Sequence, residues 1–291
     1  MIAGIDLGGT QVRVALARSD GRIVATARAR TALLKTPERV VEWAAAQIEK
    51  RSGREKVRSL AIGAPGPIDT RRGVLVNPPN LPGWGNAPLT ALLERAVGCP
   101  AYLENDANLA GLGEYHQGAG RGAVNLVYVT WSTGVGGALI LGGRLYSGSH
   151  GSAGEIGHTV VDPDGPLDGC GQRGCIEVFC GGRQLATQTG ESTSELFEAA
   201  ARGDREARMI VNRAATYMGI GLINLTNLVD PDVIVMGGGI TRSWKVVEPV
   251  LTATLRGSPF IKPNRRPRLR RARLGDRGGL VGAVEWARHN L

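Results

Sequence analysis

The sequence predicts an α/β protein built from two domains of similar plan, and three observations point there. A strand–glycine turn–strand pattern opens the chain around Gly8 and recurs around Gly134. Between and after these hairpins, apolar residues fall at the three- and four-residue spacing of helices. The length, 291 residues, exceeds one typical domain and suffices for two sizeable cores. An apolar content of 42% and a charged content of 21% place the chain among ordinary globular proteins rather than disordered or membrane classes. No run approaches the roughly 18 apolar residues of a membrane span, and the N-terminus lacks a signal-peptide pattern. A cytoplasmic protein with no membrane partner is therefore expected.

In order, Ile2 to Leu7 is an apolar strand, Gly8-Gly9-Thr10 a turn, and Val12, Val14 and Leu16 alternate along a second strand. Asp20-Gly21 turns the chain into a third strand, Ile23 to Ala27. Pro37 opens a helix that carries Val40, Val41, Ala44 and Ile48 on one face. Val57 to Ile62 is a strand running into the rigid loop Gly63-Ala64-Pro65-Gly66-Pro67. A helix over 88–97, a short strand from Ala101 to Leu103 and a helix over 106–117 follow. The second cycle begins with a β run from Asn125 to Thr130, a turn from Ser132 to Gly137 and a strand from Ala138 to Leu141. A long helix over 206–228 shows Val211, Ala214, Met218, Leu222 and Leu225 at helical intervals. Asp232 to Met236 is a buried strand ending in Gly237-Gly238-Gly239, and helices from about 241 and over 279–289 complete the chain. The repetition is a weak internal duplication, not a solenoid. It implies two facing α/β domains with ligand sites in the cleft between them.

The net charge of +9 invites a nucleic-acid reading. The basic residues are nearly all Arg, with Lys only at Lys35, Lys50, Lys56, Lys245 and Lys262. The densest run, Lys262 to Arg273, has no interleaved aromatics and matches no DNA-binding module. It reads as solvated basic surface, and no nucleic-acid partner is expected. Three of the four cysteines, Cys170, Cys175 and Cys180, share one short window, which favours metal over disulfides in a cytoplasmic chain. Cys99 stands alone and reads as a small buried apolar residue. His116, His150 and His289 show no supporting constellation and read as incidental.

The most informative stretch is Gly151 to His158 taken with Asp168 to Glu177. It sets His158, Cys170, Cys175, Glu155 and Glu177 close together between glycines. Thiolates and neutral imidazole hold Zn²⁺, while carboxylates accept hydrogen bonds from sugar hydroxyls. The combination suggests a loop tied down by metal so that polar groups point at a ligand. In Asp6-Leu7-Gly8-Gly9-Thr10 the glycines let backbone N–H groups approach phosphate oxygens, and the Thr10 hydroxyl adds a donor. Asp6 is placed to hold Mg²⁺ through water. A plain tight hairpin is the alternative, but the second turn, Ser132 to Gly137, repeats the same chemistry. Gln11 and Arg13 follow the first turn, yet strand surface positions are usually just solvated. No G-x-x-x-x-G-K-[ST] motif exists, which excludes a P-loop NTPase. Gly169, Gly171 and Gly174 satisfy G-x-G-x-x-G, but inside the cysteine cluster and not after a strand, so that match is accidental. Glu104-Asn105-Asp106-Ala107-Asn108 sits where a strand passes into a helix. Asp106 there is either a routine helix N-cap or a general base for phosphoryl transfer.

Asp6 to Thr10, Gly63 to Gly66, Asn77 to Trp84, Glu104 to Asn108, the Gly134 turn, Glu155 to His158 and the Cys loop occur in the order seen in the ROK family. This chain resembles that family of bacterial sugar kinases and sugar-responsive repressors, within the actin-like ATPase superfamily. The resemblance covers nearly the whole chain. It implies two actin-like (ribonuclease H-like) domains flanking a cleft that takes ATP and a hexose. Their boundaries would be 1–108 plus 278–291 for the small domain and 109–277 for the large one.

Position by position, the resemblance makes Asp106 the catalytic base, itself in contact with the sugar. Asn80, Asn105, Glu155, His158 and Glu177 become further sugar contacts, with Gly66 lining the same pocket. Gly8, Gly9 and Thr10, with Asp6 for Mg²⁺, and Thr133 with Gly134 become the phosphate loops; Gly237, Gly238 and Gly239 become the nucleoside edge. The family's zinc set falls on His158, position 168, Cys170 and Cys175, where position 168 is Asp instead of the usual Cys. The fourth ligand is then Asp168, water or Cys180, the alternative being a weakened or empty site.

The activity implied is ATP-dependent hexose phosphorylation, foremost a glucokinase acting on the 6-hydroxyl of glucose. Kinases for N-acetylglucosamine, N-acetylmannosamine or fructose are the alternatives. A repressor is disfavoured because the first strand begins at Ile2, with no room for a helix-turn-helix ahead of the first phosphate turn. A catalytically dead sugar sensor is disfavoured by Asp106 and both phosphate turns. The resemblance also implies a homodimer or homotetramer.

Overall fold

The computed structural model describes Met1 to Leu291 and is α/β, with two mixed five-stranded sheets. The chain divides into two compact units, one of Met1–Gly118, Ser149–Gly151 and Asp276–Leu291, the other of Ala119–Gly148 and Ser152–Gly275. No helix is long and apolar enough to cross a membrane.

In the first unit, β1 (Ile2–Leu7), β2 (Gln11–Ala17) and β3 (Ile23–Arg30) form an antiparallel meander. Apolar side chains fill both faces of β1, which is the central strand and has neighbours on each side. On β3 burial alternates and Arg28 and Arg30 lie at the sheet edge, a charged edge that resists further pairing. A single turn, α1 (Thr31–Leu34), leads to α2 (Pro37–Ser52). The Thr36 hydroxyl accepts the Arg39 N–H, Pro37 occupies the first helical turn, and Gly53 ends the helix with φ 59°. Its buried stripe is Val40, Val41, Ala44 and Ile48, as the spacing predicts. β4 (Ser59–Ala64) then pairs parallel to β1. A small hairpin of β5 (Ile68–Asp69) and β6 (Val74–Leu75), then α3 (Leu89–Val97), lead to β7 (Ala101–Asn105), parallel to β4, and to α4 (Asp106–Gln117).

The second unit repeats the plan. β8 (Leu126–Trp131), β9 (Val135–Leu141) and β10 (Arg144–Leu145) are antiparallel neighbours. After the glycine-rich loop come α5 (Ile176–Cys180), α6 (Gly182–Thr189), α7 (Thr193–Arg202) and the long α8 (Arg205–Val229), which buries Val211, Ala214, Met218 and Leu222. β11 (Val233–Gly237) joins β8 in parallel, a 3₁₀ turn spans Gly239–Ser243, and α9 (Trp244–Gly257) precedes β12 (Arg268–Arg271). The sheet orders are β3-β2-β1-β4-β7 and β10-β9-β8-β11-β12, one topology written twice. Trp131 packs edge-on against Phe197 inside the second core.

The last helix, α10 (Gly278–His289), returns to the first unit and packs on α4 and β1. The crossing with α4 is so close that a methyl on Gly113 would strike the Gly278 carbonyl, and one on Gly282 the Leu109 carbonyl. Only glycine allows the two backbones to meet in this way.

Three expectations need correction. The second turn ends at Gly134, because Gly136 and Gly137 already belong to β9 and pair with Thr130 and Val129. The helix after β11 begins as a 3₁₀ turn and becomes α-helical only at Trp244. The arginine run contains a strand, β12, whose Leu269 packs on the core while Arg268 and Arg271 stay exposed.

Candidate functional site

In the first unit, the predicted site residues gather at the ends of β1, β4 and β7. Gly8 to Thr10 join β1 to β2, and the Gly8 N–H donates to the Gln11 carbonyl, which closes the turn. Gly9 and Thr10 are exposed. A side chain at Gly9 would meet the Asn80 backbone oxygen at 3.0 Å, so the loop carrying Asn80 lies directly against this turn. Asp6 sits opposite Arg13 in the strand register, and Arg13 Nη1 donates to Asp6 Oδ2 at 3.1 Å and to the Asp276 carbonyl at 2.9 Å. Burial pushes the Asp6 carboxyl above its ordinary pKa, and the Arg13 charge and hydrogen bond partly offset this.

The β7–α4 junction is built on a cap. Asn105 Oδ1 accepts the N–H groups of Ala107 (2.9 Å) and Asn108 (3.2 Å). Asn105 is therefore the N-cap, and Asp106 opens the helix itself. The routine capping role considered for Asp106 falls to its neighbour. Asp106 Oδ1 accepts the Ala107 N–H at 2.8 Å, where the positive end of the helix dipole favours the carboxylate. Beneath them Glu104, 3% exposed, accepts from the Asn105 N–H (2.8 Å) and from Asn108 Nδ2 (2.9 Å). A side chain at Gly66 would first meet Asn105 Nδ2, at 3.7 Å, so Gly66 and Asn105 face one another. Gly66, Asn80, Asn105 and Asp106 thus all belong to this first unit, with the turn at Gly8.

In the second unit the turn Ser132–Gly134 joins β8 to β9. Glu177, on the first turn of α5, accepts the Val135 N–H through Oε2 at 2.6 Å, and its carboxylate fills the space a side chain at Gly134 would need. The Gly182 N–H donates to Ser132 O and the Arg183 N–H to Thr133 O, both at 2.8 Å. The α5–α6 segment therefore grips the turn at three points. Gly237 ends β11 under the Tyr128 ring, and Gly238, with φ 84°, lies on the Trp131 backbone, so Gly237 to Gly239 border the same turn. Glu155 is exposed and His158 half-buried, at either end of the 3₁₀ turn Ile156–His158.

His158, Asp168, Cys170 and Cys175 each offer a ligand atom, and these atoms lie within 4.8 Å of one another. His158 Nδ1 stands 3.2 Å from Asp168 Oδ2, and the two sulfurs are 3.7 Å apart. Asp168 is 4% exposed and its Oδ1 has no partner, a buried acceptor with nothing to accept. Burial pushes the Asp168 carboxyl up, but hydrogen bonds from the Cys170 side chain and from the Gly169 and Cys170 backbone, with His158, hold it below its ordinary value. The Cys175 thiol is pushed up to about 12 by burial, then by Cys170 and Asp168. Such a thiol gives up its proton when a cation takes its place. The donor set of one imidazole, one carboxylate and two thiols fits tetrahedral zinc. Cys180 does not join it; its Sγ donates to the Ile176 carbonyl inside the core, where burial raises its pKa.

The ROK family profile matches residues 2–290. The chain belongs to the ROK family. Among solved structures, the ROK hexokinase from Thermus thermophilus shares 39% identity with a TM-score of 0.88, covering 99% of this chain and 98% of that one. A ROK family glucokinase from Streptomyces griseus, in complex with glucose and AMPPNP, shares 33% identity with a TM-score of 0.81, covering 99% of each chain. The N-acetylmannosamine kinase of Yersinia pestis is 33% identical over 296 residues, 99% of this chain and 98% of its own.

For this ROK protein, sequence reasoning left Arg13 out although it holds Asp6. The signal was there: Asp6 and Arg13 are equidistant from the centre of the Gly8–Gln11 turn, and in an antiparallel hairpin such residues pair. The grip of Glu177 on the Gly134 turn carried no signal of that kind, because residues 135 and 177 meet only in the folded chain.

Proposed function

We propose that this protein is an ATP-dependent hexose kinase, a glucokinase that transfers the γ-phosphoryl group to the 6-hydroxyl of glucose. The observation that carries the reading is the β7–α4 junction, where the Asn105 cap delivers Asp106 at a helix N-terminus as an ionisable group with a fixed backbone. Asp106 would take the proton of the 6-hydroxyl as that oxygen bonds to the γ-phosphorus and the bond to the β-phosphate oxygen breaks, releasing ADP. The N–H groups of the Gly8–Thr10 and Thr133–Gly134 turns would receive the charge that spreads over the transferring oxygens. Gly237 to Gly239 would flank the nucleoside. Asp6, steadied by Arg13, would hold Mg²⁺ through water, and that ion supplies neutralising charge at the phosphates.

Asn80, Asn105, Glu155, His158 and Glu177 would pair with the remaining hydroxyls, with Gly66 lining the same pocket. Sites built to pair particular hydroxyls reject sugars lacking them, because their own polar groups are left buried and unpaired. Zinc would be held by His158, Asp168, Cys170 and Cys175 and supplies a crosslink within the loop. With His158 Nδ1 turned to the metal cluster, Nε2 is the nitrogen left for sugar.

The N-acetylmannosamine kinase relative, as similar as the glucokinase structure, supports a second reading with a C2-acetamido sugar as substrate. A coupled ATP-turnover screen over glucose, fructose, N-acetylglucosamine and N-acetylmannosamine tests both. The highest kcat/KM on glucose is expected; a higher value on N-acetylmannosamine hands the site to the second reading, and no turnover on any hexose overturns both. A homodimer or homotetramer belongs to the same proposal, and light scattering that returns the single-chain 30.6 kDa at micromolar concentration counts against it.

A further inference from the structure

His116, His289 and Glu285 stand together in the first unit, where the last turns of α4 and α10 meet. One ligand atom of each lies within 4.8 Å of the others, and the two imidazole centroids are 4.9 Å apart. Glu285, 2% exposed, has its Oε2 taken by Arg288 (Nη2 at 2.7 Å, Nε at 2.8 Å), while Oε1 receives one N–H, from Gln117 Nε2 at 2.8 Å. A carboxylate oxygen offers two lone-pair sites, so Oε1 retains one. His289 Nδ1 lies 2.7 Å from the Glu285 carbonyl, to which it donates, and 3.9 Å from Glu285 Oε2; with its proton on Nδ1, the neutral ring keeps its lone pair on Nε2. An imidazole oriented by a backbone carbonyl in this way is the usual second-shell arrangement of a metal-ligating histidine.

From this juxtaposition we infer that His116, Glu285 and His289 form a second, thiolate-free binding site for a divalent transition metal of the zinc, cobalt or nickel kind. Imidazole and carboxylate donors suit those ions, and three protein ligands leave positions for water. The surroundings favour a cation. Both histidines lie in the last turn of a helix, where the dipole is negative, and Glu285 is buried among them. The carboxylate already pairs with Arg288, so the site should hold its ion more weakly than a thiolate cluster would.

The consequence would be a staple. α4 begins at Asp106, and α10 begins at Gly278–Gly279 against the Asp6 carboxylate, so one ion at the far ends of both helices fastens the frame carrying both groups. The test is cobalt binding to the full chain, followed by visible absorption, because thiolate ligation gives an intense charge-transfer band that a His/Glu site lacks. Wild type is expected to bind two Co²⁺ per chain, one with the thiolate band and one without. His289→Ala, an exposed position, should lose only the band-free site and weaken it at least about tenfold, since even second-shell losses cost roughly 10–100-fold in affinity. Cys170→Ser should lose only the thiolate band. With zinc already filling the cysteines, added Co²⁺ should raise the melting temperature of wild type but not of His289→Ala. A wild-type chain whose only bound Co²⁺ carries the thiolate band, or a band-free affinity in His289→Ala within twofold of wild type, overturns the inference. Hexose turnover by metal-free His289→Ala is measured alongside, so loss of the kinase reading and loss of the metal site register separately.

Discussion

The two units share one sheet order but anchor the corresponding turn through different groups. In the first, Gly9 and Thr10 are exposed, Gly9 leans on the loop at Asn80, and Thr31 donates its hydroxyl to the Gly8 carbonyl at 2.7 Å and its N–H to the Thr10 carbonyl at 3.0 Å. In the second, the Ser132–Gly134 turn is held by the Glu177 carboxylate and by two N–H groups of the α5–α6 segment. Behind that segment stand His158, Asp168, Cys170 and Cys175, since Cys175 is the residue from which α5 starts. The same hairpin is thus tied by a single threonine in one unit and by a carboxylate together with a helical segment in the other. The first unit holds Asp106, the proposed base; the second holds the His158, Asp168, Cys170 and Cys175 cluster.

Variants that break this contrast are expected to differ widely in effect. Asp106→Asn keeps size and polarity yet removes the basic oxygen, so kcat should fall by about 10²-fold or more while calorimetric sugar affinity changes little. Turnover within a few-fold of wild type would show that the first unit does not hold the base. Next in size comes the second turn. Glu177→Ala removes the acceptor for the Val135 N–H and should raise the KM for ATP by about tenfold, the worth of one charged hydrogen bond. Glu177→Gln retains an acceptor oxygen and should stay within about twofold for ATP, while its sugar KM rises. Equal ATP effects in both variants would mean that the carboxylate does not position the turn.

Removal of zinc acts one step further back. Chelation should loosen Glu177 and raise the sugar KM before circular dichroism reports any unfolding. Asp168→Cys, which restores a third thiolate, should hold zinc more firmly, and Asp168→Ala should lose it. Elemental analysis of protein purified without added metal below about 0.2 zinc per chain sinks the structural-zinc reading, since a structural site of this type is filled on folding.

The smallest effect is expected at Asp232, whose Oδ2 accepts the N–H groups of Val124 and Asn125, each at 2.8 Å, at the entry to β8. Those hydrogen bonds hold its carboxyl below the usual range. Such a group stabilises the fold above its ordinary pKa of about 3.9 and loses that contribution as pH falls through its lower folded value. Denaturant midpoints of Asp232→Asn should therefore trail wild type at neutral pH and converge with it in acid. A gap that persists unchanged in acid would rule out the carboxylate charge as its cause.

Much of the frame was legible in the residues, and the exceptions have physical reasons. The helix Asp106–Gln117 was readable to the residue because a capping side chain precedes it and a Gly follows it. Which of Asn105 and Asp106 caps was not readable, since either side chain can accept the same N–H groups. Gly136 and Gly137 looked like turn because strands seldom spend two glycines. A methyl on Gly137 would strike the Ile156 side chain, so this strand needs the absence of one. β12 was hidden because an edge strand with arginines on its exposed positions has the composition of solvated surface. His116 and His289 are separated by most of the chain, and only the α4–α10 crossing makes them neighbours.

That crossing also bears on the order in which the protein can be made. The strands β1, β4 and β7 and the helix α4 all leave the ribosome before the second unit, whereas α10, which packs on β1 and α4, leaves after it. Leu280, Val284 and Ala287 bury themselves against Ile2, Ala15, Ala17 and Ala61. Until they arrive, that apolar face of the nascent sheet stands open while the second unit is translated, for on the order of ten seconds or more at about 5–20 residues per second. The first unit to be synthesised is thus the last to close, and its uncovered sheet is where a chaperone holding this chain during translation has most to protect.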